Sequence, residues 1–175
     1  GYMGRQFARA EHRQLAVSAN PEEWTDAEVL YVLSRRGSDM SGNLILGNPA
    51  LEQWQSGKVS SPEPLKTRAL GLAYSRMAEQ AIASGVAGSS AAGECPKFSA
   101  LREIARSATP HVLVKFSGAD GSPAVQRWAD LLVSEHLALE SAAALPGIEA
   151  ASSRSVAHDG RTFLEVERFD RHGMF

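Results

Sequence analysis

Three features of the 175-residue chain have residue types and spacing that could do chemistry. The first is a run of small residues, Gly85-Val-Ala-Gly-Ser-Ser-Ala-Ala-Gly93. Such a run lets backbone N–H groups approach a phosphate closely, although most such runs are only flexible connections. It contains neither Gly-x-x-x-x-Gly-Lys-Ser/Thr nor Gly-x-Gly-x-x-Gly, so neither the P-loop nor the dinucleotide fingerprint applies. The second is Lys115, inside the apolar run His111-Val-Leu-Val-Lys-Phe116. Strand alternation puts Val112, Val114 and Phe116 on one face and Leu113 and Lys115 on the other. Read alone, Lys115 is equally an edge lysine whose stem covers apolar surface while its ammonium reaches water. The third is Glu135. Trp128, Leu132, Glu135 and Leu139 fall on one helical face, where a carboxylate is costly unless it is paired or bends out to water.

A small-residue loop, then a strand lysine, then a helix glutamate is the order of parts in a protein-kinase N-terminal lobe. There the loop covers the triphosphate, the lysine touches the phosphates and the glutamate positions the lysine. The order joins three signals that are each weak alone.

The elements that must position these residues follow from local signals. Thr25-Asp-Ala-Glu28 is a capping box opening a helix that closes at Arg35-Arg36, with Gly37 as a left-handed cap. Leu44-Ile-Leu46, between Gly42 and Gly47, reads as a short strand. Residues 55–64 read as a Ser/Gly/Pro-rich connection. A helix is expected from about Pro64 to Ser84, with Leu65, Ala69, Leu72 and Ala81 on one face and Gly85 as its stop. Strands are expected near Phe98–Leu101 and over His111–Phe116, then a long helix from about Pro123 to Leu145. Asp159-Gly160 suits a type I′ turn, so residues 155–164 read as a hairpin whose strand continues from Thr162 to Phe169. The preferred boundary separates an N-terminal subdomain, residues 1–84, from a second unit, residues 85–175.

Composition narrows the function classes. Lys plus Arg number 18 and Asp plus Glu 20, a net charge of 18 − 20 = −2. Direct nucleic-acid binding is disfavoured on that balance, even though Arg5, Arg9 and Arg13 could form a local basic face. The lone Cys95 excludes an internal disulfide and a multi-cysteine zinc site, and the five histidines show no metal-ligand spacing, so no metal site is expected. No apolar stretch approaches ~18 residues and no signal peptide is visible, so a cytoplasmic protein without membrane contact is expected. A start at Gly1, and a last strand so close to Phe175, suggest a fragment; alternatively that strand closes a small sheet.

Four segments carry a resemblance. Ser89-Ser-Ala-Ala-Gly93-Glu-Cys-Pro-Lys97-Phe98, His111–Phe116, Arg127-Trp-Ala-Asp-Leu-Leu-Val-Ser-Glu135-His and Glu165-Val-Glu-Arg-Phe-Asp-Arg171 resemble the HipA-like Ser/Thr kinases, toxins of bacterial toxin–antitoxin pairs. Arg36-Gly-Ser-Asp-Met-Ser-Gly-Asn-Leu44 is similar to the subdomain that precedes their kinase core. The resemblance implies an α+β fold: a small N-terminal α/β subdomain, then a twisted, mostly antiparallel sheet with the 123–145 helix packed on it. It implies that Ser90, Ala92 and Gly93 lie in the phosphate-covering loop, that Lys97 closes that loop, and that Lys115 contacts the nucleotide phosphates with Glu135 as its partner. It implies that Glu167 and Phe169 present backbone groups to the adenine, that Asp170 lies near the ribose, and that Ser90 is autophosphorylated. Cys95 stands where a polar residue such as Gln is common. ATP and Mg²⁺ are the implied cofactors; a protein substrate and a HipB-like antitoxin are the implied partners. The sequence holds no His-Arg-Asp-like or Asp-Phe-Gly-like segment, so this chain alone is expected to be inactive. The competing expectation is a non-catalytic interaction module.

Overall fold

A computed structural model describes residues 2–40, 44–59, 63–84, 95–104 and 110–171. The architecture is α+β, with five α-helices and one four-stranded antiparallel sheet among the described residues. Three helices come first, α1 (Tyr2–Leu15), α2 (Asp26–Arg36) and α3 (Asn48–Val59), followed by α4 (Leu70–Ser84). The strands are β1 (Lys97–Leu101), β2 (His111–Phe116), β3 (Ser153–His158) and β4 (Arg161–Glu167), with α5 (Pro123–Ala143) between β2 and β3. The sheet order is β1-β2-β4-β3.

The capping box forms as expected, with Thr25 accepting from the Glu28 amide and Glu28 reaching back to Thr25. Gly37, expected to be left-handed, has φ −85° and ψ 45° instead. The helix closes through the Gly37 N–H to Leu33 O at 2.8 Å, and a Cβ at Gly37 would lie 2.5 Å from that same oxygen. Glycine is therefore required by close approach rather than by a left-handed turn. The strand expected at Leu44–Leu46 is not formed, because no described strand lies beside it to take its backbone hydrogen bonds. The connection expected over 55–64 is helical through Val59, because Pro49 is tolerated at a helix start and Ala50 and Trp54 face α2.

The helix expected from Pro64 begins later. Leu65 makes a parallel bridge to Arg102, residues Thr67–Ala69 form a 3₁₀ turn, and α4 starts at Leu70. Its buried stripe is Leu70, Tyr74, Ala78 and Ala81, not Leu65, Ala69, Leu72 and Ala81, and Leu72 is exposed. Leu65 and Ala69 precede the helix, and Leu72 and Ala81, two and a half turns apart, point to opposite sides of it.

The core lies between that stripe and one face of the sheet: Phe98, Ala100, Val112, Val114, Phe116 and Phe163. Small alanines bring α4 close, and Tyr74 meets Phe98 edge-on at 5.6 Å between centroids. The Asp159-Gly160 turn has both residues at positive φ, 49° and 70°, as a type I′ hairpin needs. The last strand ends at Glu167 rather than Phe169, because from Asp170 onward side-chain ion pairs replace the ladder.

The other face of the sheet carries Lys97, Ser99, Leu113, Lys115, Leu164 and Val166, by alternation from the core residues. Helix α5 covers it over β4, β3 and part of β2. Leu132 and Leu164 are fully buried there, while Val125, Ala129, His136 and Leu139 are half-buried. Trp128, expected on the packed stripe, is 43% exposed, because the stripe centres on Leu132 and leaves Trp128 at its edge.

Candidate functional site

The face left by α5 over β1 and β2 is the candidate site. Lys115 Nζ lies 2.6 Å from Glu135 Oε1, so the strand lysine and the helix glutamate form the expected ion pair. Their side chains remain 23% and 39% exposed. A pair that wet contributes only ~0.2–1 kcal/mol to stability. Its consequence is positional: it holds the ammonium on the open sheet face.

Lys97 stands directly opposite Lys115 in the β1–β2 register. The Phe116 N–H donates to Pro96 O at 3.1 Å, which makes 97/115 a non-hydrogen-bonded pair, the kind whose Cβ atoms come closest. Lys97 is buried, with 2% of its surface exposed. Two ammoniums and one carboxylate give these three side chains a formal charge of +1. Like charges directly opposed in a sheet repel each other, and the Glu135 carboxylate offsets the Lys115 charge. Cys95 lies beside them, its thiol reaching Phe116 O at 3.9 Å. Burial pushes that thiol's pKa up, against the pull of the Lys115 and Lys97 charges. No described group of three or more His, Cys, Asp or Glu residues could hold a metal ion.

Ser90, Ala92 and Gly93, the expected phosphate-covering loop with its autophosphorylation serine, lie outside the described residues.

The segment after β4 is at the other end of the same face. Arg168 N–H donates to His111 O at 2.9 Å, four strand positions from Lys115, a separation of about 13 Å along the strand. Half-buried Leu113, Leu101 and Val166 floor the interval. The Glu167 N–H donates to Ser152 O at 2.9 Å, so that amide belongs to the sheet. The Phe169 side chain is 84% exposed. Asp170 takes a two-pronged contact from Arg168, at 3.0 Å and 2.8 Å, and one from Arg171 at 3.0 Å. The Arg168 guanidinium holds the Asp170 carboxyl down at about 2.

Sequence reasoning missed two polar clusters. In the first, on the core face, Glu165 Oε2 accepts from Arg102 Nε at 2.7 Å and from the Tyr74 hydroxyl, and a second Arg102 nitrogen donates to Leu65 O at 2.7 Å. Burial and the Glu165 contact push the Tyr74 hydroxyl's pKa far up. The available signal was alternation, which places Glu165 on the same face as Phe163. In the second, Asp39 accepts from Arg168, Arg171 and Ser99. No local pattern could announce contacts 129 and 132 residues apart.

Residues 89–174 match the HipA-like C-terminal domain family, and residues 1–55 match the YjjJ-like toxin, middle domain. The chain is 33% identical to "Toxin YjjJ" of Escherichia coli (strain K12) over 174 residues, which is 99% of this chain and 38% of that protein. The chain thus spans well under half the length of the curated relative it matches. No solved structure matches.

Proposed function

Since the chain belongs to the HipA-like toxins, we propose that its sheet face is the nucleotide-holding lobe of an ATP-dependent Ser/Thr protein kinase. The observation that carries this reading is the Lys115–Glu135 pair at 2.6 Å, a partly exposed strand lysine held by a helix glutamate. Lys115, partly exposed, fits a phosphate of ATP, and Lys97 stands opposite it in the strand register with its side chain buried. Leu113 and its half-buried neighbours fit the nucleoside, and the Glu167 carbonyl and the Phe169 backbone fit the adenine, the Glu167 N–H being committed to Ser152. Asp170, fully engaged by two arginines, would reach a ribose only by exchanging one of them.

The described residues do not fit a magnesium site, so Mg²⁺ ligands and the base that accepts the substrate's hydroxyl proton are assigned to parts of the protein beyond this segment. This lobe then contributes positioning and phosphate electrostatics. Ser90 is proposed as the autophosphorylation site on the resemblance to the HipA-like kinases, and a phosphate there would repel the ATP phosphates. A protein hydroxyl is the acceptor, a HipB-like antitoxin is the partner, and the cytoplasm is the setting. Among the described residues no helix is long and apolar enough to cross a membrane.

The test is transfer of labelled γ-phosphate by the protein that carries this segment. Lys115→Met should reduce it at least about 100-fold. Transfer by the isolated 175-residue chain, or transfer indifferent to Lys115→Met, contradicts the reading. Loss of transfer in every form, with antitoxin binding retained, would make the segment an interaction module instead.

A further inference from the structure

The second missed cluster joins the α2–α3 connection to the segment that leaves β4. Asp39 Oδ1 accepts from Arg168 at 2.9 Å and from Arg171 at 2.8 Å, and Asp39 Oδ2 accepts from Ser99 at 3.1 Å. Arg171 also donates to Met40 O at 2.8 Å. Both arginine side chains are mostly buried, and Asp170 bridges them from the other side. Arg168 N–H donates to His111 O at the end of the β2–β4 ladder. Beyond it the chain from Phe169 to Arg171 is placed by side chains, and Asp39 is the anchor that is distant in sequence.

We propose that Asp39 is a positioning residue for the nucleotide site, fixing the Phe169–Asp170 backbone through Arg168 and Arg171. This rests on the nucleotide-binding reading above. Asp39 touches neither phosphates nor adenine in this arrangement; it acts through the two guanidiniums. Removing its charge takes a charge-assisted bond from each of two mostly buried guanidiniums, and an arginine that has lost such a bond reorients toward water. The adenine end of the site then loosens, while the phosphate end, about 13 Å away along β2, keeps Lys97, Lys115 and Glu135. The matched toxin middle domain, residues 1–55, contains Asp39, so the clamp also makes the nucleotide site answer to that unit's placement.

The experiment separates the two ends of the ligand. Affinities for adenosine and for tripolyphosphate are measured on the protein carrying this segment, as wild type, Asp39→Asn, Asp39→Glu and Lys115→Met. Asp39→Asn should weaken adenosine about tenfold and leave tripolyphosphate within about twofold. Asp39→Glu should recover most of the loss, and Lys115→Met should show the opposite split. Amide exchange at residues 168–171 should accelerate in Asp39→Asn. Unchanged adenosine affinity in Asp39→Asn, or equal loss of both probes, overturns the proposal, the second outcome being general destabilisation. A wild type that binds neither probe sinks the nucleotide reading itself, and with it any role for Asp39 at such a site.

Discussion

Arg102→Met should destabilise the fold by about 3–5 kcal/mol, because it strips a buried carboxylate of its counter-charge. Arg102 is 2% exposed and Glu165 5%. The arginine supplies two bonds at 2.7 Å, one to Glu165 and one to the Leu65 carbonyl. After the substitution Glu165 retains only the Tyr74 hydroxyl, and Leu65 O loses a donor. For a domain with ~5–15 kcal/mol of total stability, the loss is a large fraction. The cluster need not be a net stabiliser, since desolvating two charges offsets most of their attraction. The triple variant Tyr74→Phe, Arg102→Met, Glu165→Met replaces the three polar side chains with apolar groups of similar size, and Leu65 O keeps the Glu103 N–H as a donor. It should lie within about 2 kcal/mol of wild type, well below the sum of the singles. Urea unfolding of the chain measures each, with the m-value checking that the transition stays two-state. Single variants that each lose under about 1 kcal/mol, or a triple as damaged as the sum, would refute the claim that this is a dry, mutually dependent cluster.

Glu135→Gln should lower phosphotransfer by about 100-fold while changing stability by under ~1 kcal/mol, since the pair is half-wet; paired activity and unfolding measurements check the split. Thr25→Ala should lower stability by about 1 kcal/mol through loss of the capping box, read by thermal unfolding. Asp170 titrates in the folded chain at about 2, below its unfolded value, so the stability it contributes is present above about pH 4 and is lost as pH falls toward 2. Acid unfolding curves should therefore flatten over that window in Asp170→Asn, and identical slopes would contradict the assignment. Phosphorylated Ser90 should weaken ATP binding relative to Ser90→Ala, measured on the protein carrying this segment.

The strand–helix part of the site was legible because it rests on local periodicity. A lysine in an alternating apolar strand and a glutamate near an apolar helical stripe are each visible within a dozen residues, and their pairing follows from packing the helix on the lysine's face. The type I′ hairpin and the capping box were legible for the same reason. Register was not: that Lys97 sits opposite Lys115 depends on how β1 aligns with β2, which nothing within either strand specifies. The helix face at Leu70–Ala81 was misread because Leu65 and Ala69 were counted into a helix that starts at Leu70, and because Leu72 and Ala81, nine residues apart, lie on opposite sides of it. Leu44–Leu46 had a strand's composition but no described neighbour to pair with. The Asp39 clamp joins residues from the two ends of the chain, and only the folded chain brings them together.

Labelling with an ATP acyl phosphate tests the central claim most directly. The reagent transfers its acyl group to a lysine amine lying against the nucleotide phosphates, forming an amide and releasing ATP. The chain has four lysines, Lys58, Lys66, Lys97 and Lys115, so peptide mass spectrometry can assign the modified site. The account predicts modification at Lys115 or Lys97 in the protein carrying this segment, suppressed by excess ATP. Modification confined to Lys58 or Lys66, or modification that excess ATP does not suppress, would contradict it.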